Sequence, residues 1–318
     1  MASGASRAES EVSINMDRSE LDTAEFPQPL EVDDVPREFS SRVHIDVAAL
    51  SDQGRVRDLN EDHFFVARGG RHIATLLTNI PSRDVPTRFE ETGYIMIVAD
   101  GMGGHAGGEV ASRMAISTLI NIILHVPDWI LRLDEEHAQK IMERAAERYR
   151  KVHEALQEKA KLDPTLRGMG TTMTAAYSLG DDLFVAHVGD SRAYLFREGK
   201  LQLLTRDQTQ AQLMADIGMI SQKEVARHRL RHVLTSALGG VEKTVRVDLQ
   251  RLKLLDSDRL LLCTDGLTDM VEDEGIAGVL ASTPTSEDAC RKLVDLALEN
   301  GGKDNVTVVV ARYSIPES

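Results

Sequence analysis

The chain has 318 residues, of which 42% are hydrophobic and 4% aromatic, and its net charge is −14. This length suits one large domain or two small ones, with enough apolar residues for a sizeable core. The negative charge disfavours a nucleic-acid partner, because phosphate binding requires a basic groove. The two cysteines, Cys263 and Cys290, form neither a disulfide framework nor the spacing of a zinc site.

The first part of the chain, residues 1–40, is rich in Ser, Glu, Asp and Ala, which predicts a largely disordered acidic tail. It has no apolar core typical of a secretory signal. The apolar segment near 116–126 is too short and too polar to span a bilayer. We therefore expect a cytoplasmic protein without membrane insertion, whose folded domain spans 41–315 and begins with a strand at 43–49.

The next elements are strands followed by helices. A second strand starts at 64–67, and the interval 69–93, with its Gly and Pro breakers, is predicted to be an insertion that forms an extended hairpin or a surface loop. The strand that ends at Asp100 follows it. Apolar residues at helical spacing then predict two long helices, at 109–126 and 134–161.

The second half of the chain returns to strands, interrupted by two short helices and completed by a helix and a last strand. The first three strands predicted in this half are 171–178, 182–188 and 192–197, and the two short helices are 209–218 and 221–227. Two more strands follow at 244–254 and 259–263. The final helix is predicted at 285–300 and the last strand at 305–313. Grouped strands and grouped helices indicate an α+β fold, and short turns indicate antiparallel pairing. We predict a four-layer α-β-β-α sandwich, with two central antiparallel β-sheets flanked by helices.

One of these strands ends in a conspicuous acidic junction. The apolar run 94–99 leads into Asp100, which is followed by five glycines within residues 101–108. A carboxylate at the end of a buried strand is costly unless a cation compensates it, and glycines allow backbone and ligand to approach closely. Capping of the following helix by Asp100 explains the pattern equally well.

Similar acidic junctions recur along the chain. Their members are Glu61, Asp62, Asp190, Asp265, Asp269 and Asp304. Taken singly, the pair at 61–62 fits an exposed turn better than a metal site, and turns also explain Asp190 and Asp304. Together, these junctions put carboxylates at strand ends, from which several loops can converge on one site. Oxygen ligands without a histidine or cysteine cluster favour Mg²⁺ or Mn²⁺ over zinc.

Such a cluster has a definite chemistry. Two ions that share a carboxylate hold a water between them, lower its pKa and deliver it as a nucleophile to phosphorus. Arg57 precedes Glu61 and Asp62 by four and five residues. Its guanidinium matches two phosphate oxygens, although a surface arginine would have the same sequence context.

Seven segments make the sequence resemble the metal-dependent protein phosphatases of the phosphatase 2C type, in their bacterial form, over roughly 43–313. The matching segments, in the order of that family, are 51–62, 98–109, 168–172, 188–192, 234–240, 263–269 and 304–307. The resemblance implies the sandwich fold predicted above.

The resemblance also implies metal ligands. Asp100 would bridge two catalytic ions, Mn²⁺ or Mg²⁺. Asp265 and Asp304 would bind the first ion. Glu61 and the carbonyl of Gly101 would bind the second.

Four further roles follow from the same resemblance. Asp62 would act largely through metal-bound water. Asp190 would hold a third ion, found in such enzymes, together with Asp265 and Asp269. Arg57 would grip the substrate phosphate. Some relatives have a histidine proposed as general acid at the position of Met102, so protonation of the leaving group would fall to another group here.

Residues 208–232 correspond to the flap of this family, a variable region beside the active site, and are called the flap segment below. The basic residues at its end are Arg227, His228, Arg229, Arg231 and His232. They would meet an acidic phosphopeptide or simply form a solvated helix end.

We therefore expect a metal-dependent protein serine/threonine phosphatase, in which water attacks the phosphoester directly without a phosphoenzyme. Its partners would be phosphorylated proteins and a serine/threonine kinase that acts on the same substrates. A phosphoprotein-binding module without catalysis would have lost a metal ligand, yet every expected carboxylate is present. A two-metal nuclease is disfavoured by the net charge of −14.

Overall fold

The computed structural model describes residues 43–81, 85, 87–103, 107–125 and 135–315, so the predicted tail at 1–40 lies outside the described residues. Strands alternate in groups with helices, as predicted. The strands are β1 His44–Asp52, β2 Asp62–Ala74, β3 Arg88–Met102, β4 Gly170–Thr171, β5 Met173–Leu179, β6 Asp182–Val188, β7 Arg192–Arg197, β8 Lys200–Leu203, β9 Leu238–Gly239, β10 Asp248–Lys253, β11 Arg259–Cys263 and β12 Val306–Ser314. The helices are α1 Gly107–His125, α2 Glu135–Leu162, α3 Gln210–Asp216, α4 Gln222–Val225, α5 Asp265–Thr268, α6 Asp273–Ser282 and α7 Ser286–Glu299.

The strands of the described ranges form two antiparallel sheets. The first has the order β1-β12-β11-β7-β8, and the second has the order β10-β6-β5-β3-β4-β9, with β2 paired to β3. Three buried clusters fill the spaces between the layers: one between the first sheet and α6 and α7, one between the two sheets, and one between the second sheet and α1 and α2. This arrangement confirms the predicted α-β-β-α sandwich.

The sequence of β12 explains why this strand can lie at the centre of the fold. Val306, Val308 and Val310 face α6 and α7, whereas Val309 and Ala311 face the other sheet, and all five side chains are buried. Side chains of a strand alternate between its two faces, so an uninterrupted apolar run indicates a strand covered on both sides. Full burial of a valine contributes about 1.5–3 kcal/mol.

The structure contains the extended hairpin that is one of the two predicted alternatives for 69–93, and a helix that was not predicted. The interval 69–93 is largely an extension of the β2–β3 hairpin, in which Gly69 pairs with Gly93 and Ala74 with Arg88. Helix α6 has no counterpart among the predicted elements, because its two glycines have low helix propensity. Burial of Ile276, Val279 and Leu280 against the first sheet stabilises the helix despite those glycines. None of the helices in the described ranges has the length and apolarity needed to cross a membrane.

The register of the strands brings the acidic junctions to one end of the sandwich. Asp62, at the start of β2, pairs with Asp100, near the end of β3. In the other sheet, β11 ends next to the beginning of β12, where the backbone N–H of Thr264 donates to the carbonyl of Thr307 at 3.0 Å. Asp265 and Asp304 therefore flank neighbouring strand ends.

Candidate metal centre

The two sheets meet at a cleft of about 560 Å³, which we call the acidic cleft. Its charged lining residues are Glu61, Asp100, Asp190, Asp265, Asp269 and Asp304, together with Arg57, Arg231, His232 and Lys303. Every carboxylate predicted from the sequence as a metal ligand lines this cleft, except Asp62, which lies buried beside Asp100. The structure therefore brings together carboxylates that are up to 243 residues apart, as Glu61 and Asp304 are.

Asp62 and Asp100 are paired residues of β2 and β3, and of the two only Asp100 lines the acidic cleft. Asp62 is 5% exposed, and its Oδ2 accepts a hydrogen bond of 2.8 Å from the Thr264 hydroxyl. Burial raises the pKa of Asp62 to about 7. Burial raises the pKa of Asp100 well above its usual range, and the negative charges of Asp62 and Asp265 add to this shift. Both carboxylates thus resist ionisation unless a positive charge joins them.

Asp100 lies inside β3, two residues before the end of the strand, rather than at a helix cap. The Thr172 hydroxyl accepts a hydrogen bond of 3.0 Å from the backbone N–H of Asp100. The Thr171 hydroxyl donates to the carbonyl of Asp100 at 2.7 Å. These two hydrogen bonds fix the backbone of Asp100, and so they position its carboxylate at the cleft. The helix-capping alternative for Asp100 is therefore wrong.

Glu61 is held at the edge of the cleft by its backbone. Its N–H donates to Oδ1 of Asn305 at 2.8 Å, and its carbonyl accepts from Ser112 at 2.6 Å. The absence of a side chain at Gly108 makes room for the carboxylate, since a Cβ there would collide with Oε1 of Glu61. Burial raises the pKa of Glu61, and the charge of Arg57 opposes this shift.

On the opposite side of the cleft, Asp190 follows β6 and Asp265 begins α5, directly beyond β11. Asp190 is 8% exposed. Burial raises the pKa of Asp190 well above its usual range, and the charges of Asp265 and Asp207 reinforce the effect. These two carboxylates therefore form a second region of concentrated negative charge.

Arg57 contacts Asp304 at the mouth of the cleft. Its Nη2 lies 2.6 Å from Oδ2 of Asp304, and the exposed fractions of the two side chains are 52% and 32%. This hydrogen bond raises the pKa of Arg57. The remaining guanidinium N–H groups of this half-exposed side chain are available to an incoming anion.

Two residues at the basic end of the flap segment, Arg231 and His232, line the acidic cleft. Arg231 donates two hydrogen bonds to the carboxylate of Asp269, at 2.6 and 3.0 Å. His232 places Nδ1 3.4 Å from Asp265 and Nε2 3.3 Å from Asp269. The solvated-end alternative is therefore wrong for these two residues. The nearby carboxylate of Asp265 raises the pKa of His232, whereas burial raises the pKa of Asp269.

The donor set fits divalent cations. Three buried carboxylate oxygens, Oε1 of Glu61, Oδ1 of Asp62 and Oδ1 of Asp265, have no hydrogen-bond partner among the described residues. Buried polar atoms are usually satisfied, so three such oxygens clustered at or beside one cleft favour a bound cation or water there. Clustered carboxylate oxygens are the ligands that Mg²⁺ and Mn²⁺ prefer.

Several residues that support the site were not singled out from the sequence. Asn305 uses its amide to hold the loop before β2, donating to the carbonyls of Gln53 and Leu59 at 2.8 and 2.9 Å. Thr264 and Thr172 hold Asp62 and Asp100 as described above. These three residues lie next to an acidic junction or inside a segment that resembles the phosphatase family. That position was the one sequence signal that could have identified them as supporting residues.

Comparison with known proteins identifies the family. The model of the protein phosphatase 2C family matches residues 68–298. The serine/threonine protein phosphatase PstP of Mycobacterium tuberculosis is 37% identical over 264 residues, which are 83% of this chain and 44% of that protein. The serine/threonine phosphatase stp of Listeria monocytogenes is 33% identical over 267 residues, covering 84% of this chain and 95% of that protein. This chain thus spans less than half of the length of PstP.

Solved structures agree with the sequence matches. The crystal structure of the PstP catalytic domain in complex with two manganese ions superposes with a TM-score of 0.67 and 34% identity, over 86% of this chain and 99% of that one. Stp1 of Staphylococcus aureus gives a TM-score of 0.68 with 28% identity, over 86% of this chain and 96% of that one. The family match, the sandwich and the acidic cleft agree, and the chain belongs to the protein phosphatase 2C family.

Proposed function

We propose that this protein is a metal-dependent protein serine/threonine phosphatase whose catalytic domain spans residues 41–315. The observation that carries the proposal is the convergence of buried carboxylates without basic partners at the meeting point of two sheets, in a chain of the phosphatase 2C family. The manganese complex of the PstP catalytic domain supports the choice of Mn²⁺ or Mg²⁺ as cofactor.

The positions of the side chains support a specific set of ligands. In this proposal, Asp100, which lines the cleft, would be shared by two ions. Asp265 and Asp304, at neighbouring strand ends, hold the first ion. Glu61 and the carbonyl of Gly101 hold the second, beside the space that Gly108 leaves open.

In this proposal, Asp62 interacts with the two ions through bound water. Its unpartnered Oδ1 would accept a hydrogen bond from a water bound to the ions, while Thr264 holds Oδ2. When bound, the two ions supply an electrophilic centre and a water acidic enough to act as the nucleophile near neutral pH. The protein contributes position and charge, because the carboxylates are already fixed by the two sheets.

Arg57 binds the substrate phosphate in this proposal. It sits at the mouth of the cleft and is 52% exposed, so two of its N–H groups can bind phosphate oxygens while the Asp304 contact keeps the side chain in place. Such a contact orients the phosphorus toward the ions without contacting the nucleophile. Its loss should therefore weaken substrate binding more than turnover.

The proposed reaction is a direct attack of water on phosphorus that releases the serine or threonine hydroxyl. Cys263 is fully buried in β11, and Cys290 is buried in α7, so neither presents a thiolate to the cleft. This observation supports hydrolysis without a cysteinyl-phosphate intermediate. The buried free thiols are also compatible with a reducing compartment such as the cytoplasm.

The proposed substrates are phosphorylated proteins, and the proposed partner is a serine/threonine kinase that phosphorylates them. The names of the related proteins support this choice, since PstP and stp are both serine/threonine phosphatases. The protein's charge of −14 supports a phosphoprotein substrate over a nucleic acid.

Hydrolysis of a phosphothreonine peptide tests this proposal. We expect release of phosphate that requires Mn²⁺ or Mg²⁺ and stops with excess EDTA. In water enriched in ¹⁸O, one solvent oxygen should enter each phosphate, and acid quenching of a ³²P-labelled reaction should leave no label on the protein. Binding of the phosphopeptide without turnover at saturating metal would instead indicate a non-catalytic recognition module.

A further inference from the structure

His232 brings nitrogen to a cleft whose other candidate side-chain ligands are carboxylate oxygens. Ligand atoms of Asp190, His232 and Asp265 all lie within 4.8 Å of one another. Asp190 is 8% exposed, whereas the His232 side chain is 47% exposed and approaches from the flap segment. The three side chains thus join the second sheet, the start of α5 and the flap segment around one small volume.

Hydrogen bonding accounts poorly for the position of this imidazole. Its ring nitrogens lie 3.4 and 3.3 Å from carboxylate oxygens of Asp265 and Asp269, whereas good N–H···O bonds span about 2.7–3.2 Å. Two ligands of one ion, each about 2.1 Å from it, lie about 3.0 Å apart in octahedral geometry and about 3.4 Å apart in tetrahedral geometry. The spacing between His232 and Asp265 therefore suits two ligands of one ion, and Oδ1 of Asp265 is a buried atom without a partner among the described residues.

Asp269 is engaged elsewhere. Both of its carboxylate oxygens accept hydrogen bonds from Arg231, at 2.6 and 3.0 Å. This bidentate pair fixes the residue immediately before His232 and so holds the imidazole over the cleft. The sequence resemblance implies that Asp269 binds the third ion together with Asp190 and Asp265. The contacts in the structure instead favour His232 as the ligand that joins these two aspartates.

We propose that His232 is a nitrogen ligand of a divalent transition-metal ion that Asp190 and Asp265 also bind, so that this ion fastens the flap segment to the body of the protein. This proposal rests on the proposed function, which makes the acidic cleft a metal site. It adds His232 as a ligand and a metal-dependent attachment of the flap segment. Imidazole ligands favour transition-metal ions over Mg²⁺, which prefers oxygen. Mn²⁺ should therefore fasten the flap segment more effectively than Mg²⁺.

Limited trypsin digestion measures whether a metal fastens the flap segment. Arg227 and Arg229 are exposed cleavage sites a few residues before His232. With MnCl₂, we expect cleavage at these arginines, identified by mass spectrometry, to slow about tenfold in the wild-type protein, as the loss of one interaction in a metal site changes affinity by at least that factor. MgCl₂ at the same concentration should protect less.

Two variants complete the digestion experiment. His232→Ala should lose the protection by Mn²⁺, whereas His228→Ala, which removes an imidazole from the same segment, should retain it. Since the His232 side chain is half exposed, its replacement leaves the core intact. Equal protection of His232→Ala and the wild-type protein would overturn the proposal.

Anomalous diffraction from crystals soaked in MnCl₂ locates the ion directly. We expect a manganese peak bonded to Asp190, Asp265 and a ring nitrogen of His232. A peak on the two aspartates with His232 turned away would overturn this proposal and leave the proposed function intact. If the cleft bound no manganese anywhere, both proposals would be wrong.

Discussion

Two groups of buried aspartates differ in how their charge is balanced. Away from the cleft, Asp258 is 1% exposed and accepts hydrogen bonds of 2.8 and 2.5 Å from Arg197. Asp182 is equally buried and lies 2.7 Å from Arg251 and 2.8 Å from Lys253. In the acidic cleft, the nearly buried Asp62 and Asp190 form no ion pair with any described arginine or lysine, and neither does Asp100.

The difference separates structural carboxylates from functional ones. Removal of a carboxylate from water carries a large penalty that a bound cation must offset. Arg197, Arg251 and Lys253 are the cations for the first group, so Asp258 and Asp182 need nothing from solution. Asp62, Asp100 and Asp190 lack such partners, and burial without an ion pair raises the pKa of each. We infer that their compensating cations come from solution.

The largest expected effect is on catalysis when the bridging carboxylate is removed. Asp100→Asn should lower kcat for a phosphothreonine peptide by about 10³-fold or more, corresponding to about 4 kcal/mol, because both ions lose a shared ligand. The metal-free variant should be at least as stable as the wild-type protein, since the substitution removes a buried charge that its neighbours repel. Steady-state kinetics and urea unfolding in EDTA measure both quantities, and wild-type turnover in this variant would contradict the assignment.

The matched change in the other group should act on stability instead. Asp258→Ala should lower the free energy of unfolding by about 3 kcal/mol, because Arg197 and the backbone N–H of Leu255 both lose their acceptor. The residual turnover per folded molecule should be that of the wild-type protein. Urea unfolding measures the loss of stability, and kinetics at low temperature measure the turnover. A loss of kcat in folded Asp258→Ala would contradict the proposed distinction between the two groups of aspartates.

Metal addition should stabilise the wild-type protein through the cleft. At an Mn²⁺ concentration of about 100 times the dissociation constant, the free energy of unfolding should rise by about 2.7 kcal/mol for one ion. Asp258→Ala should gain as much as the wild-type protein, and Asp100→Asn much less. Thermal unfolding with and without EDTA measures the gain, and an equal gain in Asp100→Asn would place the bound ions outside the cleft.

The smallest expected effect concerns Arg57. Arg57→Ala should raise KM about tenfold, corresponding to about 1.4 kcal/mol, with a smaller change in kcat, because the proposed role of the guanidinium is to bind phosphate rather than metal. Arg55→Ala, which removes a neighbouring arginine whose Nε donates to the carbonyl of Leu298 at 3.0 Å, is the control. An unchanged KM for Arg57→Ala would remove its proposed role.

The sequence predicted the parts of the fold and site that depend on local pattern. An apolar run that ends in Asp-Gly, as at Asp100 and Asp265, indicates both a buried strand and a carboxylate at its end. The continuous apolar run of β12 indicates a strand covered on both faces. These features need only neighbouring residues, which is why the two-sheet sandwich and the acidic junctions could be predicted.

The remaining features depend on contacts between residues far apart in the chain. Thr264 donates to Asp62 across 202 positions, and Asn305 accepts from Glu61 across 244. The bidentate pair between Arg231 and Asp269 was also invisible, because a basic cluster at a helix end is usually solvated. Helix α6 was missed because packing, and not helix propensity, stabilises it.

The most direct test of the central claim is a titration of the metal-free protein with Mn²⁺ that follows bound metal and phosphopeptide hydrolysis in the same samples. The account predicts no hydrolysis before metal is added, and activity that rises as two ions bind. It also predicts that Asp100→Asn binds fewer ions under the same conditions. Full hydrolysis in excess EDTA, or binding of both ions by Asp100→Asn with wild-type affinity, would contradict it.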